Sequence, residues 1–598
     1  MKGFDVLHVK SAVKTRNKFD LSRTHLTTMD FGEIVPLFVE ETVPGDDITV
    51  HGNYFSRMAP LVKPTYGKVE FKTVAGFVPY HQLAYDADAW FGGKTTWEGI
   101  TPQFRYFTIG DLAAFIRDYC TTTGDSATTV TLENADWTYK ANNGNVVLCK
   151  FTQQGKYWVK ILNALGYALP QACYYSTNSN WYTRVRLIKL SAFPLLAFFK
   201  LYNDYMSQSQ RFNTSALSSL LLNIKNNIAV SSLYTSSGEI LSMGLLQMFS
   251  NLYLNYGNDY FTSAWQNPNT PLSSVENVNS LDVPSPYHLS GVTIGQVPED
   301  NIMTQRVQSD YINIGQRSLD FLKSFDSWVR RNNYAGSRAV AQVYARFGIK
   351  TDDYRTHYAH VLSTDSLPVQ VGDVTSQAST DITKDGATKN IQLGDYAGKG
   401  IVAGDKGVSC KADDFGILII LGYFTVTPMN AFGFDRRVLR NTPLDYYNPE
   451  FDGLGAEAIT VGEFYENPLA SASGDTTNTD IVFGFTERYN SYRYGRDVIT
   501  GEFRDYHPDG DMNCWHTGRN MNDIRRNGLV AQSTSVNTMP QINSEYNRIF
   551  SITEGPENHF YLTAHFNVDA IRPMMNLNQV PRLGEGDTAV PRNGNVIS

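Results

Sequence analysis

Residues 558 to 572 (NHFYLTAHFNVDAIR) place the strongest constraint on the fold, because their apolar and polar side chains alternate. Apolar residues occupy every second position from Phe560 to Val568, which is the period of a strand that buries one face. Residues 416 to 426 (GILIILGYFTV) are continuously apolar and precede Pro428, which indicates a strand buried on both faces. The carboxyl half of the chain therefore contributes core strands.

Further strand signals lie near the amino end. Residues 33 to 43 and 48 to 58 are rich in β-branched and aromatic side chains, and Pro-Gly-Asp-Asp at 44 to 47 is a strong turn signal. Residues 68 to 80 alternate imperfectly, as a strand with a bulge near Gly76 would. Strands at both ends of the chain predict a mainly β, antiparallel sandwich that carries long, partly helical loop insertions.

Helical spacing occurs between these strands. Residues 108 to 119 predict a short surface helix that is capped by Thr108 or Asp111. A second helix is predicted within residues 187 to 206, and two more within 309 to 347. We expect these helices to decorate the sandwich rather than to define its core.

The formal net charge of -8 excludes a surface that is basic throughout, as in dedicated nucleic-acid-binding domains. Any nucleic-acid contact must therefore be local, and one basic stretch is an N-terminal arm of residues 1 to 27. A solvated arm and an arm that contacts phosphates both fit this composition. The candidate DNA-binding residues are Lys10, Lys14, Arg16, Lys18 and Arg23.

The cysteines predict neither a disulfide framework nor a structural zinc site, since they are odd in number, widely spaced and lack a C-x-x-C pair. Residues 507 to 511 (HPDGD) and His516 could hold a cation, but Pro-Asp-Gly is equally typical of a turn. No metal and no cofactor are therefore predicted. The cysteines are Cys120, Cys149, Cys173, Cys410 and Cys514.

The sequence also predicts no membrane insertion. The amino end lacks a positive region followed by an apolar stretch. No segment approaches the roughly 18 apolar residues that are needed to span a bilayer. We expect the chain to be made and kept in a reducing cytoplasm until it is released.

No complete catalytic constellation is present, so no catalytic residue is predicted. The pairs Glu40 with Glu41 and Glu487 with Asp497 could be imagined as glycosidase carboxylates, but a chain with 59 acidic residues supplies such pairs by chance. The tyrosines within residues 489 to 494 are more typical of core or intersubunit packing than of a ligand site. The predicted role is structural rather than enzymatic.

Many short segments, in one order along the chain, resemble the major capsid proteins of the Microviridae, most closely the gokushovirus-like branch. Residues 28 to 57 are similar to the opening pair of strands in that family, with its Pro-Gly-Asp corner, and residues 193 to 212 resemble a family helix. The resemblance covers most of the chain outside residues 120–156 and 213–300. Other matching segments are 259–265, 358–380, 396–400, 434–436, 444–451, 482–503, 515–516 and 572–574.

The resemblance implies an eight-stranded antiparallel jelly roll, of which about sixty identical copies close a T=1 icosahedral shell around a circular single-stranded DNA genome. It divides the chain into the arm of residues 1–27 and one capsid domain of residues 28–598. Residues 120–156 are predicted as a hairpin excursion. Residues 213–300 are predicted to form a threefold surface protrusion that contacts the host.

The resemblance also implies several partners besides further copies of the chain and the genome. These are an internal scaffolding protein, minor spike or pilot and DNA-binding virion proteins, and a receptor on the bacterial surface. The expected location is the virion, and the host cytoplasm during assembly. Two other functions remain open, a carbohydrate-active β-sandwich enzyme or lectin and a receptor-binding or tail component of a larger phage, although the ordered matches and the missing secretion signal count against the first.

Overall fold

The computed structural model describes the strand-rich ends of the chain and part of the region between them. The helices predicted within 309 to 347, the HPDGD segment at 507 to 511, and Lys10, Lys14 and His516 lie outside the described residues. The described residues are 16–61, 68–91, 101–122, 130, 135–140, 146–169, 185–207, 216–257, 259–264, 358–372, 380–384, 387–391, 399–429, 433–452, 456–463, 482–504, 512–515, 517–518, 542, 544–551 and 558–574.

Strands outnumber helices in this part of the chain. The strands are β1 Asn17–Asp20, β2 Arg23–Met29, β3 Val35–Thr42, β4 Asp46–Met58, β5 Val69–Pro79, β6 Tyr106–Thr108, β7 Cys120–Thr122, β8 Trp137–Lys140, β9 Val146–Phe151, β10 Lys189–Ser191, β11 His360–Pro368, β12 Gln370–Gly372, β13 Thr380–Lys384, β14 Ala387–Ile391, β15 Lys399–Ala412, β16 Gly416–Val426, β17 Ala456–Thr460, β18 Val482–Glu487 and β19 Phe560–Arg572. The α-helices are α1 Tyr80–Leu83, α2 Ala87–Phe91, α3 Ile109–Arg117, α4 Gln153–Ala164, α5 Phe193–Tyr205, α6 Ala216–Lys225 and α7 Ser242–Ser250. Short 3-10 helices are Arg436–Val438, Pro443–Asp445, Pro449–Phe451, Val461–Glu463, Asn490–Tyr492, Gly501–Phe503, Asn513–Trp515 and Ser544–Ile549.

Two antiparallel sheets form the framework. The first has the order β2-β19-β4-β15, with β1 also paired to β19 and β12 beyond β15, and the second has the order β11-β5-β16-β3. Aromatic pairs join them, since Phe424 of β16 and Phe560 of β19 stack with centroids 3.9 Å apart. Phe38 of β3 lies 5.1 Å from Phe566 of β19. The prediction of a mainly β, antiparallel fold with helices is confirmed.

The periodicity of the two predicted carboxyl strands matches their burial. β19 buries every second side chain from Phe560 to Ala570 and exposes those between them. β16 buries nearly every side chain, because the first sheet packs on one side of it and helix α5 contacts it as well. At the amino end, β3 and β4 turn at Gly45, whose φ of +92° lies in the left-handed region that favours glycine.

The predicted bulge near Gly76 is wrong for its own strand. The register shift lies in the partner strand β11, between Val361 and Ser363, opposite Gly76 and Ala75. A Cβ at Gly76 would lie 2.5 Å from a methyl carbon of Leu201 in α5. The glycine therefore permits a close approach of this helix to the sheet.

The helices do not merely decorate the sandwich, which corrects the prediction. Thr108 and Asp111 cap α3 reciprocally, as the sequence suggested, but its apolar side is fully buried. Phe115 of α3 stacks on Phe249 of α7 at 4.9 Å, and Phe199 of α5 meets the same ring at 5.1 Å. Since these side chains belong to the hydrophobic core, the helices form an additional layer of it.

The structure describes part of each of the two predicted insertions. Within residues 120–156, β7, β9 and β8 form a three-stranded antiparallel sheet, after which α4 begins. Within residues 213–300, α6 and α7 pack into the core, where Met248 and Phe249 are fully buried. The rest of this segment, residues 265–300, lies outside the described residues, and the protrusion stays a prediction. No helix in the described part of the chain is long and apolar enough to span a membrane.

Candidate interaction surfaces

The predicted DNA-binding residues of the arm that are described lie on or beside the edge of the first sheet. Arg16 donates a hydrogen bond to the carbonyl oxygen of Gly45. Lys18, in β1, forms an ion pair with Asp569 of β19 at 2.8 Å. The carboxyl end of the predicted arm is therefore folded onto the sheet, while DNA contact by these side chains stays a prediction.

Arg23 has the most partners of the three. Its guanidinium lies 3.0 Å from Glu40, donates to the carbonyl oxygen of Val39, and stacks 4.1 Å from the ring centroid of Phe38. Glu40 also accepts a hydrogen bond from Arg572 at 2.9 Å. Arg23 thus links β2 to β3, a structural role that the sequence did not indicate.

Three of the carboxylates imagined as glycosidase pairs contact other side chains of the fold, namely Glu40, Glu41 and Glu487. Besides the arginine contacts of Glu40, Glu41 accepts a hydrogen bond from the hydroxyl of Tyr80 at 2.6 Å. Glu487 lies 3.7 Å from Arg493. In the described part of the chain, no group of three or more His, Cys, Asp or Glu side chains could hold a metal ion.

A groove opens on the exposed face of the first sheet, and we call it the sheet-face groove. Its floor comes from β2, β19 and β4, where paired residues of antiparallel strands point to the same side. One row pairs Leu26 with Thr563 and Thr563 with Phe55, and the next pairs Tyr561 with Arg57. Helix α4 forms the wall. The groove has a volume of about 830 Å³, and its lining residues are His25, Leu26, Thr27, Thr28, Phe55, Arg57, Phe151, Lys156, Val159, Lys160, Asn163, Ala164, Tyr561, Leu562 and Thr563.

Aromatic rings and cations dominate the chemistry of this groove. The Arg57 guanidinium lies 5.4 Å from the ring centroid of Phe55, and Lys156 and Lys160 extend from α4. Lys160 forms an ion pair at 2.6 Å with Glu33, which is not one of the lining residues. Burial raises the pKa of the Glu33 carboxyl, and the charge of Lys160 opposes that shift. None of the described residues that line the groove is acidic.

A second surface combines arginines with tyrosines, and we call residues 433–452, 456–463 and 482–504 the Arg–Tyr surface. At its base, Arg436 lies 2.6 Å from Glu457 and 2.8 Å from Glu463. Glu463 also accepts a hydrogen bond from Tyr260 at 3.2 Å. Burial raises the pKa of the Glu463 carboxyl, and the Arg436 charge opposes the shift. This buried cluster fixes the short 3-10 helices above it.

The outer part of the Arg–Tyr surface exposes aromatic side chains. Arg440 lies 4.0 Å from the ring centroid of Tyr492, which in turn contacts Tyr447 edge to face at 6.1 Å. Exposed Arg437 forms an ion pair with Asp435 at 2.7 Å. A pocket of about 440 Å³ opens between these side chains. The exposed large apolar and aromatic residues of this surface are Phe434, Val438, Tyr446, Tyr447, Phe451, Val482, Tyr492 and Val498.

Sequence reasoning marked only the tyrosines within 489 to 494 as packing residues and missed the arginines beside them. One signal was available, because Lys411 is the last lysine of the chain and every later basic side chain except histidine is an arginine. The sheet-face groove was missed completely. Its parts come from segments that lie far apart in the sequence.

Comparisons with known proteins agree on one family. The family described as capsid protein (F protein) matches residues 7–98 and 171–582. The capsid protein VP1 of Chlamydia phage 1 is 24% identical over 613 aligned positions, which cover 95% of each chain. The capsid protein VP1 of Bdellovibrio phage phiMH2K is 23% identical over 523 positions, which cover 85% of this chain and 86% of that protein.

Proposed function

The chain belongs to the capsid protein (F protein) family, and we propose that about sixty copies of it close a T=1 icosahedral shell around a circular single-stranded DNA genome. The family and its relatives confirm the predictions of a Microviridae capsid protein and of a structural rather than an enzymatic role. A capsid protein resides in the virion.

The order of the long strands carries the proposal. The eight strands β2, β3, β4, β5, β11, β15, β16 and β19 are divided between two sheets in the orders β2-β19-β4-β15 and β11-β5-β16-β3. Along the chain these strands alternate between the two sheets, except that β11 follows β5 within the second sheet and pairs with it. Two interlocked Greek keys in a double sheet produce this kind of order, which supports an eight-stranded jelly roll.

The Arg–Tyr surface supports contact between copies of the chain. Aromatic residues and arginine are enriched at protein interfaces, whereas lysine is depleted, and this surface contains no lysine. It also carries both charge signs, since Arg437 and Arg493 lie beside Asp435 and Asp452. Paired opposite charges favour recognition of another protein rather than of a polyanion. We assign the tyrosines of this surface to intersubunit packing.

Electron microscopy of the purified chain, produced with an internal scaffolding protein, tests the shell. The parent chain is expected to form closed particles of uniform small diameter. A variant with Tyr446→Ser, Tyr447→Ser and Tyr492→Ser is expected to remain unassembled, because three exposed anchors are lost. Tyr85→Ser is the matched control, since Tyr85 is an exposed tyrosine outside the Arg–Tyr surface. Persistent monomers or trimers of the parent would favour the receptor-binding alternative.

Further partners belong to the same proposal. A segment within residues 213–300 would form the protrusion that contacts a bacterial surface receptor, and the arm would contact DNA through Lys10, Lys14, Arg16, Lys18 and Arg23. Minor spike or pilot proteins and DNA-binding virion proteins would complete the particle, which would assemble in the host cytoplasm. The family match and both named relatives favour this function over a lectin or a tail component.

A further inference from the structure

We propose that the sheet-face groove binds single-stranded nucleic acid through its aromatic floor and its cations. The inference rests on the proposed function, in which the shell encloses a single-stranded genome. It goes beyond that function by assigning the contact to Arg57, Lys156, Phe55 and Tyr561. None of these residues belongs to the arm.

Basic side chains determine the charge of the groove. The chain carries a net charge of -8, yet Arg57, Lys156 and Lys160 line a groove in which none of the described lining residues is acidic. Lys160 is neutralised by Glu33. Within the described part of the chain, no carboxylate lies within ion-pair distance of Arg57 or Lys156. Two cations are therefore available to a phosphate backbone.

The groove also presents exposed aromatic rings. Phe55 and Tyr561 are 42% and 47% exposed although they stand on strands whose alternate residues are fully buried. Leu26 beside them is 72% exposed. Bases stack on such rings regardless of sequence, because every base has a π-face. A volume of about 830 Å³ suits a few nucleotides rather than a folded domain.

Other occupants fit the groove less well. A second copy fits less well, because lysine is depleted at protein interfaces and the groove has lysines among its described lining residues. Residues 1–15 are basic and would be repelled. They also start from the far end of the sheet. Asn17 pairs with Arg572 whereas Thr28 pairs with Tyr561, a separation of 11 residues along β19, or about 36 Å.

Fluorescence anisotropy with a labelled dodecameric oligodeoxythymidylate tests the cations on the unassembled full-length chain. Arg57→Gln with Lys156→Gln is expected to weaken binding about tenfold at low salt and to reduce the slope of log affinity against log salt by about 1.4. Lys68→Gln with Lys411→Gln is the control, since both lysines are exposed and each forms an ion pair. Parent affinity and slope in the groove variant would overturn the proposal.

The rings are tested separately. Tyr561→Ser, and independently Phe55→Ser, is expected to weaken oligodeoxythymidylate binding about fivefold or more with an unchanged salt slope, because stacking is lost and no phosphate contact is removed. The affinity for a DNA duplex of equal length is expected to stay within about twofold, since its bases are already stacked. Parent affinity for the single strand in both variants would overturn the proposal, as would equal losses for the duplex.

Two further measurements separate this inference from the proposed function and from occupation by the chain itself. Deletion of residues 1–15 is expected not to raise the affinity of the groove. A rise that Arg57→Gln with Lys156→Gln abolishes would show that the arm covers the groove, and would overturn the assignment. Microscopy of the same preparations reports on shells, so failure of the parent to assemble contradicts the proposed function while the anisotropy still decides the groove.

Discussion

The sheet-face groove and the Arg–Tyr surface both combine aromatic rings with cations, but the cations of the two regions differ in their carboxylate partners. In the groove, Arg57 and Lys156 stand without carboxylate partners in the described residues. On the Arg–Tyr surface, Arg436 and Arg437 are each held by an acidic side chain at 2.8 Å or less. Unpaired cations suit a polyanion, whereas paired ones suit a complementary protein surface. Composition alone does not separate the two.

The rigidity of the two regions also differs. The side chain of Arg436 is 18% exposed and contacts two glutamates and a backbone carbonyl, so it has one geometry. Lysine has a flexible stem and a compact, strongly hydrated charge, as at Lys156 in the groove. A flexible cation can follow a mobile backbone of phosphates. A fixed arginine instead provides the preorganised partner that repeated contacts between subunits require.

The largest expected effect concerns the buried arginine. Arg436→Met removes the cation that lies 2.8 Å from buried Glu463, so we expect the free energy of unfolding to fall by about 3 kcal/mol at neutral pH. Arg437→Met removes an ion pair of a 77% exposed side chain, and Arg57→Met removes no ion pair among the described residues, so each should cost less than about 0.5 kcal/mol. Urea titrations of the three variants measure this. Equal losses of unfolding free energy in the three variants would contradict the different roles assigned to the arginines of the two regions.

Salt is expected to affect the two regions unequally. Two phosphate contacts imply that oligonucleotide binding weakens about sevenfold, or about 1.2 kcal/mol, between 50 and 200 mM salt. Contacts between copies at the Arg–Tyr surface should change less, because exposed rings contribute much of that contact and apolar burial is not screened. Anisotropy and sedimentation across this range measure both quantities. A steeper salt dependence of assembly than of binding would reverse the assignment.

The smallest expected effects are two pH dependences of opposite sign. Burial raises the pKa of Glu33 above 4.5, so the stability contribution of this group falls as pH rises from 4.5 through the raised pKa. The Arg437 hydrogen bond lowers the pKa of Asp435 below 3.8, so its contribution is present above 3.8 and is lost as pH falls through the lowered pKa. The Asp435 effect should stay below about 0.5 kcal/mol, since its partner is exposed.

Urea unfolding of the parent, Glu33→Gln and Asp435→Asn between about pH 3 and 7 measures these two slopes over the range of carboxyl titration. As pH rises above 4.5, the free energy of unfolding of the parent should fall relative to that of Glu33→Gln. As pH falls below 3.8, the free energy of unfolding of the parent should fall relative to that of Asp435→Asn. Two slopes of the same sign would contradict the assigned environments of these carboxyl groups.

Sequence periodicity predicted the strands whose pattern follows from burial. β19 alternates because one face meets the second sheet, and β16 is uniformly apolar because both of its faces are covered. The strands β1 and β2 were missed inside the predicted arm, since neither has an alternating apolar pattern. Both are held by pairing with β19, a contact between opposite ends of the chain. Local pattern carries no information on such a partner.

The sites were harder to predict than the strands for the same reason. Leu26, Phe55 and Tyr561 come together only because β19 inserts between β2 and β4. The arm was chosen for its density of lysine and arginine, but Arg23 is paired with Glu40. Charge density in the sequence therefore differs from the charge that is available in space. Pairing across strands neutralises some cations and leaves others without a carboxylate partner among the described residues.

One crossed comparison of two substitutions tests the central claim most directly. Leu26 in the groove and Val438 on the Arg–Tyr surface are 72% and 68% exposed, so glutamate at either position should be tolerated by the fold. Gradient sedimentation with absorbance at two wavelengths then reports shells and their nucleic-acid content. We expect Leu26→Glu to form shells with reduced nucleic acid, and Val438→Glu to remain unassembled yet bind oligodeoxythymidylate like the parent. Full nucleic-acid content in Leu26→Glu shells, or normal shells from Val438→Glu, would contradict the account.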